Sequence, residues 1–237
     1  DRNVDDAVGK GSLIIEKRDE LTNELLSGAT FELYGLADDP DGKLIDTKTT
    51  DASGTVTFSD LDYGYYMVKE TGVPAYYTAV AEIVDSIPVT ADEVDKDGNV
   101  TVVVKNRNIS FQISKRAANT IIELDGAELG IFADQTTDFE ATAPLLSWTS
   151  SDEAPEIIYL GNTGRTDSKL LLMPGTYILA ELNTPAGFLK ANPMRFTVDD
   201  TGAVTLLDAG TGSPDDGTDK RTPGALLNEE DYALIVM

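Results

Sequence analysis

The chain is predicted to be an all-β protein made of two tandem β-sandwich domains, and three observations lead to that prediction. Short segments in which apolar and polar residues alternate fill the sequence, turn signals separate them, and one long pattern occurs twice. The turn signals include Asp41-Gly42, Ser53-Gly54, Asp97-Gly98 and Thr201-Gly202. No segment of twelve or more residues carries a convincing helical stripe, so strands are expected throughout.

The internal repeat defines the domains. The segment from Gly28 to Tyr34 matches the segment from Gly126 to Phe132 at a distance of 98 positions. A second pair of segments, Tyr66 to Tyr77 and Tyr177 to Phe188, lies 111 positions apart. The second copy therefore carries 13 additional residues between these landmarks, and the Thr-, Ser- and acid-rich stretch 134–155 is their predicted place.

The domain boundaries follow from the same repeat. A polar lead-in covers residues 1–10, the first domain covers 11–107, and the second covers 108–237 with its loop insertion near 134–155. The last strand of the first copy and the first strand of the second are separated by almost no linker, so a semi-rigid pair is expected.

Composition excludes several functional classes. The chain has 18 basic and 42 acidic residues, a formal net charge of −24, which argues against nucleic acid or an anionic membrane surface as partner. It contains no cysteine and no histidine, so a disulfide framework, a catalytic Cys or His and a Cys/His zinc site are excluded. No apolar run is long enough to span a bilayer, and no cofactor or metal is predicted.

Five polar residues share the strand face of apolar neighbours. Lys17 follows Leu13 and Ile15 in alternation, Glu70 follows Tyr66 and Val68, and Asn106 follows Val102 and Val104. In the second copy, Lys115 and Glu181 hold the corresponding places. Two readings remain open: these side chains point into the core, or they are ordinary polar residues at strand ends.

If a lysine, a glutamic acid and an asparagine meet in a dry core, a definite reaction follows. Desolvation lowers the pKa of a buried lysine and raises that of a buried glutamic acid, giving a neutral amine beside a neutral acid. The acid can polarise the asparagine carbonyl and pass protons while ammonia leaves. The product is a Lys–Asn isopeptide bond that needs no cofactor, only proximity.

Both copies resemble the Cna B-type domains of Gram-positive surface adhesins and sortase-assembled pilins. The resemblance of the two copies covers essentially residues 11–237. It rests on five segments of the first copy: the opening Gly11 to Lys17, the strand Gly28 to Tyr34, the turn Thr50 to Gly54, the glutamate box around Glu70, and the closing Val102 to Asn106. It implies immunoglobulin-like sandwiches and an autocatalytic isopeptide bond between Lys17 and Asn106, with Glu70 as catalyst. Asn108, two residues past Asn106, is the second choice as acceptor.

The second copy departs from this pattern. Lys115 and Glu181 are in place, but an alignment of Ile235 to Met237 with Val103 to Lys105 puts the expected asparagine one residue beyond Met237. Asn228 is the alternative acceptor within the chain. Without an acceptor, the lysine and the glutamate are expected to remain a buried pair.

The leading functional hypothesis is a structural protein of the Gram-positive cell surface, a pilin or stalk segment joined to neighbouring subunits by sortase and anchored to the cell wall. The alternative is an adhesin module that binds a host matrix or mucosal ligand through loops of the second domain. An enzyme acting on an external substrate comes third, because no nucleophile–base pair or metal site is recognisable.

Overall fold

A computed structural model describes residues 9–36, 42–81, 83–117, 121–166, 168–188, 190–208 and 231–236. Within these ranges the chain forms eighteen β-strands and divides into two compact units, Asp1–Asn108 and Ile109–Met237. The boundary therefore lies one residue from the predicted one. No helix in the described part of the chain is long and apolar enough to cross a membrane.

The first domain is a sandwich of two four-stranded sheets. One sheet has the order β4-β1-β8-β6 and the other the order β3-β2-β5-β7. Its strands are β1 (Lys10–Asp19), β2 (Thr30–Gly35), β3 (Lys43–Thr49), β4 (Thr55–Asp62), β5 (Gly64–Gly72), β6 (Tyr77–Ala79), β7 (Ile83–Val89) and β8 (Asn99–Asn108). Strands β1 and β8 pair in parallel, whereas the other pairs are antiparallel.

The second domain has two five-stranded sheets, with the orders β13-β14-β12-β9-β18 and β11-β10-β15-β16-β17. Its strands are β9 (Ser110–Ala117), β10 (Glu128–Ala133), β11 (Leu146–Thr149), β12 (Glu156–Leu160), β13 (Gly164–Arg165), β14 (Leu170–Leu172), β15 (Gly175–Asn183), β16 (Met194–Val198), β17 (Val204–Asp208) and β18 (Asp231–Val236). The all-β prediction and the tandem arrangement are confirmed.

Strand alternation builds the core between the two sheets of the first domain. Leu13 and Ile15 of β1 are fully buried and belong to the same apolar cluster as Phe31 and Leu33 of β2. Each such side chain contributes about 1.5–3 kcal/mol by leaving water. The same alternation continues along β1 to Lys17, so the strand that builds the core also carries a lysine into it.

One polar corner occurs in both domains and fixes their alignment. The Thr50 hydroxyl accepts the amide of Ala29 at 3.0 Å and donates to the carbonyl of Leu26 at 3.0 Å. The Ser150 hydroxyl accepts the amide of Ala127 at 2.9 Å and donates to the carbonyl of Leu124 at 2.6 Å. Thr50 and Ser150 are thus equivalent and lie 100 positions apart.

This alignment corrects the predicted place of the insertion. Thr50 and Ser150 are 100 positions apart, whereas the start of the repeat is 98 positions apart, so only two of the 13 additional residues lie before Ser150. Most of the stretch 134–155 therefore belongs to the hairpin of β10 and β11 and is not an insertion. The Tyr66 hydroxyl donates to the carbonyl of Asp62, and the Tyr177 hydroxyl donates to that of Met173. Asp62 and Met173 are therefore equivalent, and they are already 111 positions apart. The other eleven residues are 161–171, which add β13 and β14 to the edge of the sheet.

The two domains also end differently. Turns 95–99 and 199–203 are equivalent: the Asp95 carboxylate accepts two backbone amides of its turn, and the Asp199 carboxylate does the same. The first turn leads into β8, which lies beside β1. The second leads into β17, which pairs with β16 in the opposite sheet. The place beside β9 is therefore taken by the later strand β18.

Candidate functional site

Lys17 occupies the centre of the first domain. Its side chain is fully buried, and its ammonium nitrogen lies 5.7 Å from the centre of the Phe31 ring. Burial lowers the pKa of Lys17 by desolvation, which exceeds the opposing effects of the hydrogen bond that Lys17 donates to Glu70 and of the Glu70 charge. The surroundings therefore favour a neutral, nucleophilic amine at this position.

Glu70 and Asn106 reach Lys17 from two other strands. Glu70 is the last buried residue of β5, Asn106 lies on the inward face of β8, and both are buried. The Lys17 Nζ atom donates to Glu70 Oε2 at 2.9 Å and to Asn106 Oδ1 at 2.5 Å, while Asn106 Nδ2 donates to Glu70 Oε1 at 2.9 Å. Each of the three side chains contacts the other two, so the arrangement is a closed triangle.

The triangle places the amine next to the amide carbon. A carbonyl bond is about 1.2 Å long, so the 2.5 Å contact with Oδ1 leaves Lys17 Nζ no more than about 3.7 Å from Asn106 Cγ. Reacting atoms in a near-attack arrangement lie about 3–3.5 Å apart. Glu70 contacts both the attacking nitrogen and the departing nitrogen, which is the position a proton-transfer group needs.

Strand register explains why these residues meet. In the parallel pair of β1 and β8, Lys17 lies opposite Val104, and Asn106 lies opposite Asp19. Lys17 and Asn106 are thus diagonal neighbours on the inward face, a separation that long side chains can span. Asn108 lies beyond this position, where its amide donates to the carbonyl of Tyr76 at 2.8 Å.

A second buried polar group, which the sequence reasoning missed, adjoins the triangle. Asp19 is 1% exposed and accepts the backbone amides of Leu21 and Thr22 and the Tyr77 hydroxyl, the last at 2.9 Å. Desolvation, followed by the hydrogen bond to Asp19, raises the pKa of Tyr77 far above its ordinary value. The signal was available, because Asp19 continues the inward alternation through Lys17.

The second domain holds only two members of the triangle among its described side chains. Lys115 and Glu181 are both buried, as their strand parity predicts, and Lys115 Nζ lies 3.5 Å from Glu181 Oε2. The same Oε2 accepts the backbone amide of Ala191 at 2.6 Å. Glu181 Oε1 is buried and has no hydrogen-bond partner within the described part of the chain.

The last strand of the second domain differs in direction from that of the first. Strand β18 runs antiparallel to β9, with Ala233 opposite Lys115, whereas β8 runs parallel to β1. The residues that correspond to β8 form β17 instead, and the acceptor predicted for Lys115 stays a prediction. Asn228 and Met237 lie outside the described residues.

Other sequence features have structural explanations. Trp148 is buried in β11 and lies opposite Leu129 of β10, and the Tyr77 hydroxyl is bound to Asp19. No cluster of three or more metal-ligating side chains occurs in the ranges that the structure describes.

Comparisons with known proteins bear on the fold. Residues 11–108 and 109–210 each match the family model of SpaA, a prealbumin-like fold domain. A stretch of 66 residues is 46% identical to serine-aspartate repeat-containing protein E of Staphylococcus aureus (strain USA300); it covers 28% of this chain and 5% of that protein. The chain thus spans about 5% of the length of this curated relative.

Solved structures of similar proteins include a Bacillus anthracis protein and a pilin. The Bacillus anthracis TIE protein is 20% identical, with a TM-score of 0.48, over 81% of this chain and 32% of that one. The shaft pilin SpaA of Lactobacillus rhamnosus GG is 19% identical, with a TM-score of 0.36, over 86% of this chain and 99% of that one. The two family-model matches together cover most of the chain and agree with the resemblance to Cna B-type domains. The chain therefore belongs to the family of SpaA prealbumin-like fold domains and contains two of them in tandem.

Proposed function

We propose that the chain is part of a structural surface protein of a Gram-positive bacterium, a pilin or adhesin stalk, whose first domain is stapled by an isopeptide bond between Lys17 and Asn106. The observation that carries the proposal is the closed triangle of Lys17, Glu70 and Asn106, with the amine 2.5 Å from the amide oxygen. Membership of the SpaA family supports the cell-surface role.

The reaction consumes only groups that the domain supplies. The neutral Lys17 amine attacks Asn106 Cγ while Glu70 holds both the attacking nitrogen and the amide nitrogen by hydrogen bonds. Glu70 then transfers a proton from the attacking nitrogen to the departing Nδ2, and the bond from Cγ to Nδ2 breaks. One amide bond forms, one ammonia leaves, and Glu70 ends as it began.

The bond has a thermodynamic effect on the first domain. It links two residues that are 89 positions apart, and a cross-link closing a loop of that size stabilises a fold by about 4–5 kcal/mol in the chain-entropy model. This chain has no cysteine, so the isopeptide bond would do what disulfides do in other exported proteins.

The mechanical effect follows from where the bond lies. Lys17 is on the first strand of the domain and Asn106 on the last. A pulling force that enters at the start of β1 and leaves at the end of β8 passes through the covalent link. The intervening residues 18–105 then bear no load, as a stalk under shear requires.

Single-molecule pulling on the full chain tests this role. Unfolding residues 18–105 would lengthen an unlinked chain by about 30 nm, at 3.3–3.6 Å per residue. The linked wild type should show no such step, and the Glu70→Ala variant should show it. A step of that length in the wild type would refute the proposed staple.

Partners follow from the proposed role. Neighbouring subunits, joined by sortase in the manner of pilins, are the proposed partners, and the proposed location is the extracellular surface, anchored to the cell wall. The shaft pilin among the similar structures is in line with this proposal.

A second candidate function is adhesion through the second domain, and the insertion 161–171 favours it. The insertion widens one sheet by two strands and contains Lys169, whose ammonium is 4.7 Å from the centre of the Tyr159 ring. Replacing residues 161–171 with the direct connection of the first domain and measuring attachment to host matrix tests this function. A stalk should attach equally well with and without the insertion.

A further inference from the structure

A strained tyrosine immediately precedes strand β6 of the first domain. Tyr76 has a φ of 67°, in the left-handed region that bulky side chains rarely adopt. The second domain makes the same turn with glycine, since Gly187, the counterpart of Tyr76, has a φ of 91°. The residues that follow, Tyr77 and Phe188, each donate their amide to the carbonyl of the proline three positions before, at 3.1 and 3.2 Å. Strain of this kind persists where surrounding contacts fix the residue, and it often marks a working part of a protein.

Two hydrogen bonds hold this turn against the opposite strands. The Asn108 side-chain amide donates to the Tyr76 carbonyl at 2.8 Å, and Asn108 lies opposite Tyr77 in the pair of β8 and β6. The Tyr77 hydroxyl donates to Asp19 Oδ2 at 2.9 Å. Asp19 is itself fixed, because its other oxygen accepts two backbone amides of the turn after β1, at 2.8 and 2.9 Å. The strained turn therefore delivers Tyr77 to a rigid anchor on β1.

The hydrogen bond between Tyr77 and Asp19 crosses the strand that carries the acceptor. Strand β8 lies between β6, which holds Tyr77, and β1, which holds Asp19. Neighbouring strands are about 4.8 Å apart, so β1 and β6 are separated by about 10 Å, a gap that a tyrosine and an aspartate span together. Asp19 is 1% exposed and lies directly opposite Asn106 in the register of β1 and β8. The Tyr77 side chain therefore crosses β8 on the buried face, at the level of Asn106 and Asn108.

We propose that Tyr77 and Asp19 are positioning residues for the bond between Lys17 and Asn106. Their hydrogen bond ties β6 to β1 across β8. This tie keeps the Asn106 side chain at the distance from Lys17 that the reaction needs and closes this side of the triangle to water. Reaction rates depend steeply on such placement, and a misplacement of about 1 Å can cost about a hundredfold. The inference rests on the proposed function and adds a determinant of the rate of its reaction.

The two residues act on the reaction through position and not through proton transfer. Lys17, Glu70 and Asn106 already satisfy one another in the closed triangle, with Glu70 in contact with both nitrogens. The Tyr77 hydroxyl is a poor acid here, because desolvation and the hydrogen bond to Asp19 raise the pKa of Tyr77 far above its ordinary value. A hydroxyl that keeps its proton is a permanent hydrogen-bond donor, as a tie between two strands requires.

The second domain lacks both partners of this hydrogen bond. Phe188 stands at the position of Tyr77 and has no hydroxyl, and Ala117 stands at that of Asp19 and has no carboxylate. Within the described part of the chain, the Glu181 carboxylate of this domain accepts a backbone amide instead of an asparagine side chain. The tyrosine, the aspartate and the strained turn therefore occur together in the domain that has the closed triangle.

A time course of bond formation in the full chain tests this role. Cell-free synthesis is stopped with a translation inhibitor, and samples are then taken for intact mass and for brief proteolysis. The first gives the fraction of chains that have lost one ammonia, and the second gives the fraction with a folded first domain. Tyr77→Phe is expected to fold as fast as the wild type but to lose ammonia at least about tenfold more slowly. A folded, unlinked population is the signature of positioning, since a merely structural role would delay folding and bond formation together.

Tyr66→Phe is the matched control. It also removes one tyrosine hydroxyl from the first domain, the one that donates to the Asp62 carbonyl at 2.5 Å, toward the opposite end of β5 from Glu70. It should lose ammonia at the wild-type rate. Asp19→Ala should react as slowly as Tyr77→Phe. Asp19→Asn should recover most of the lost rate, because its amide oxygen still accepts the turn amides and its NH₂ group can donate to the Tyr77 hydroxyl.

Three results would overturn the inference. They are a Tyr77→Phe time course that superposes on the wild type, equal slowing in Tyr66→Phe, and an ammonia loss in Tyr77→Phe that lags only as much as its folding does. In each of these cases the wild type still loses its ammonia, so the proposed function stands. A wild type that never loses ammonia would refute the proposed function and this inference with it.

Discussion

The two domains share a fold and a buried Lys–Glu pair but surround the glutamate differently. In the first domain, Glu70 binds two side chains, Lys17 through one oxygen and Asn106 through the other, each at 2.9 Å. In the second domain, one oxygen of Glu181 accepts both Lys115, at 3.5 Å, and the backbone amide of Ala191, at 2.6 Å. The comparison shows that the same Lys–Glu pair can belong to a closed triangle of side chains or bind a backbone amide instead, depending on its neighbours.

The origin of this difference lies in one loop. In the first domain, Tyr77–Ala79 forms β6 on the edge of β8, and the amide of Val80 donates to the carbonyl of Lys105 at 3.4 Å. Val80 and Ala191 both lie ten residues after the glutamate of their domain. Among the described strands of the second domain, none takes the place that β8 has beside this loop, and the Ala191 amide donates to the Glu181 carboxylate instead.

The largest expected effect comes from removing each glutamate in turn. Glu70→Ala is expected to abolish the proposed cross-link of the first domain, which would lose about 4–5 kcal/mol of stability. Its unfolding transition should fall by roughly 20–35 °C, since 1 kcal/mol corresponds to about 4–8 °C in a domain of this size. Calorimetry on the full chain measures the shift. Glu181→Ala should leave this transition in place, and a Glu70→Ala protein with unchanged transitions would contradict the account.

An intermediate effect is expected from the loop amide. Ala191→Pro removes the N–H that Glu181 accepts, and the loss of a donor to a buried carboxylate costs about 1–3 kcal/mol. Urea denaturation should show this loss in the second domain only. Val80→Pro is the matched control, because the Val80 amide makes a longer hydrogen bond at an exposed edge. Equal losses of stability in both variants would contradict the expectation that the hydrogen bond from Ala191 to Glu181 contributes more than an exposed one.

A smaller effect on stability is expected from the hydrogen bond between Tyr77 and Asp19, which lies beside the triangle of the first domain. Tyr77→Phe removes the hydrogen bond to Asp19 and is expected to cost about 1 kcal/mol in the first domain. The second domain has Phe188 and Ala117 at the corresponding positions. Phe188→Tyr should therefore give no stabilisation, since Ala117 has no carboxylate to accept the new hydroxyl. A gain from Phe188→Tyr similar in size to the loss from Tyr77→Phe would contradict this pairing.

Particular residues show how much of the fold and of the site could be predicted from the sequence. Strand parity put Lys17, Glu70 and Asn106 on the inward face, and all three are buried there, because alternation is a local property of the chain. The direction of β18 was not predictable, since an antiparallel and a parallel strand have the same alternation. The Ala191 contact was not predictable either, because a backbone amide leaves no mark in the sequence.

The insertion illustrates a different limit. The stretch 134–155 has the composition of a loop, yet it contains β11 and differs in length from the first domain by only two residues. The additional residues 161–171 include Leu170 and Leu171, which form part of a strand, so composition did not mark them as an insertion. Only the paired hydrogen bonds of Thr50 and Ser150 revealed the true alignment.

The smallest expected effect is a dependence of the stability of the second domain on pH. The Arg195 guanidinium, with help from Gln135, holds the pKa of Asp134 well below its usual range. A depressed folded-state pKa adds stability above the unfolded value of 3.8, and that stability is lost as pH falls through the folded value. Asp134→Asn should thus destabilise the second domain slightly at neutral pH and less at low pH. The first domain has Leu36 and Ser86 at these positions and should show no such dependence at this site.

Titrating urea midpoints for both proteins measures this effect. Solvent screens the pair because both side chains are partly exposed, so the difference should be small. A difference between wild type and Asp134→Asn that grows as pH falls would have the wrong sign for this account.

The central claim is that Glu70 drives bond formation between Lys17 and Asn106 in the folded first domain. The most direct test is the intact mass of the purified chain beside that of its Glu70→Ala variant. The account predicts that the wild type lacks the mass of one ammonia from the first domain and that the variant recovers it. A wild type that retains this ammonia would contradict the claim, and the two domains would then be sandwiches held by packing alone.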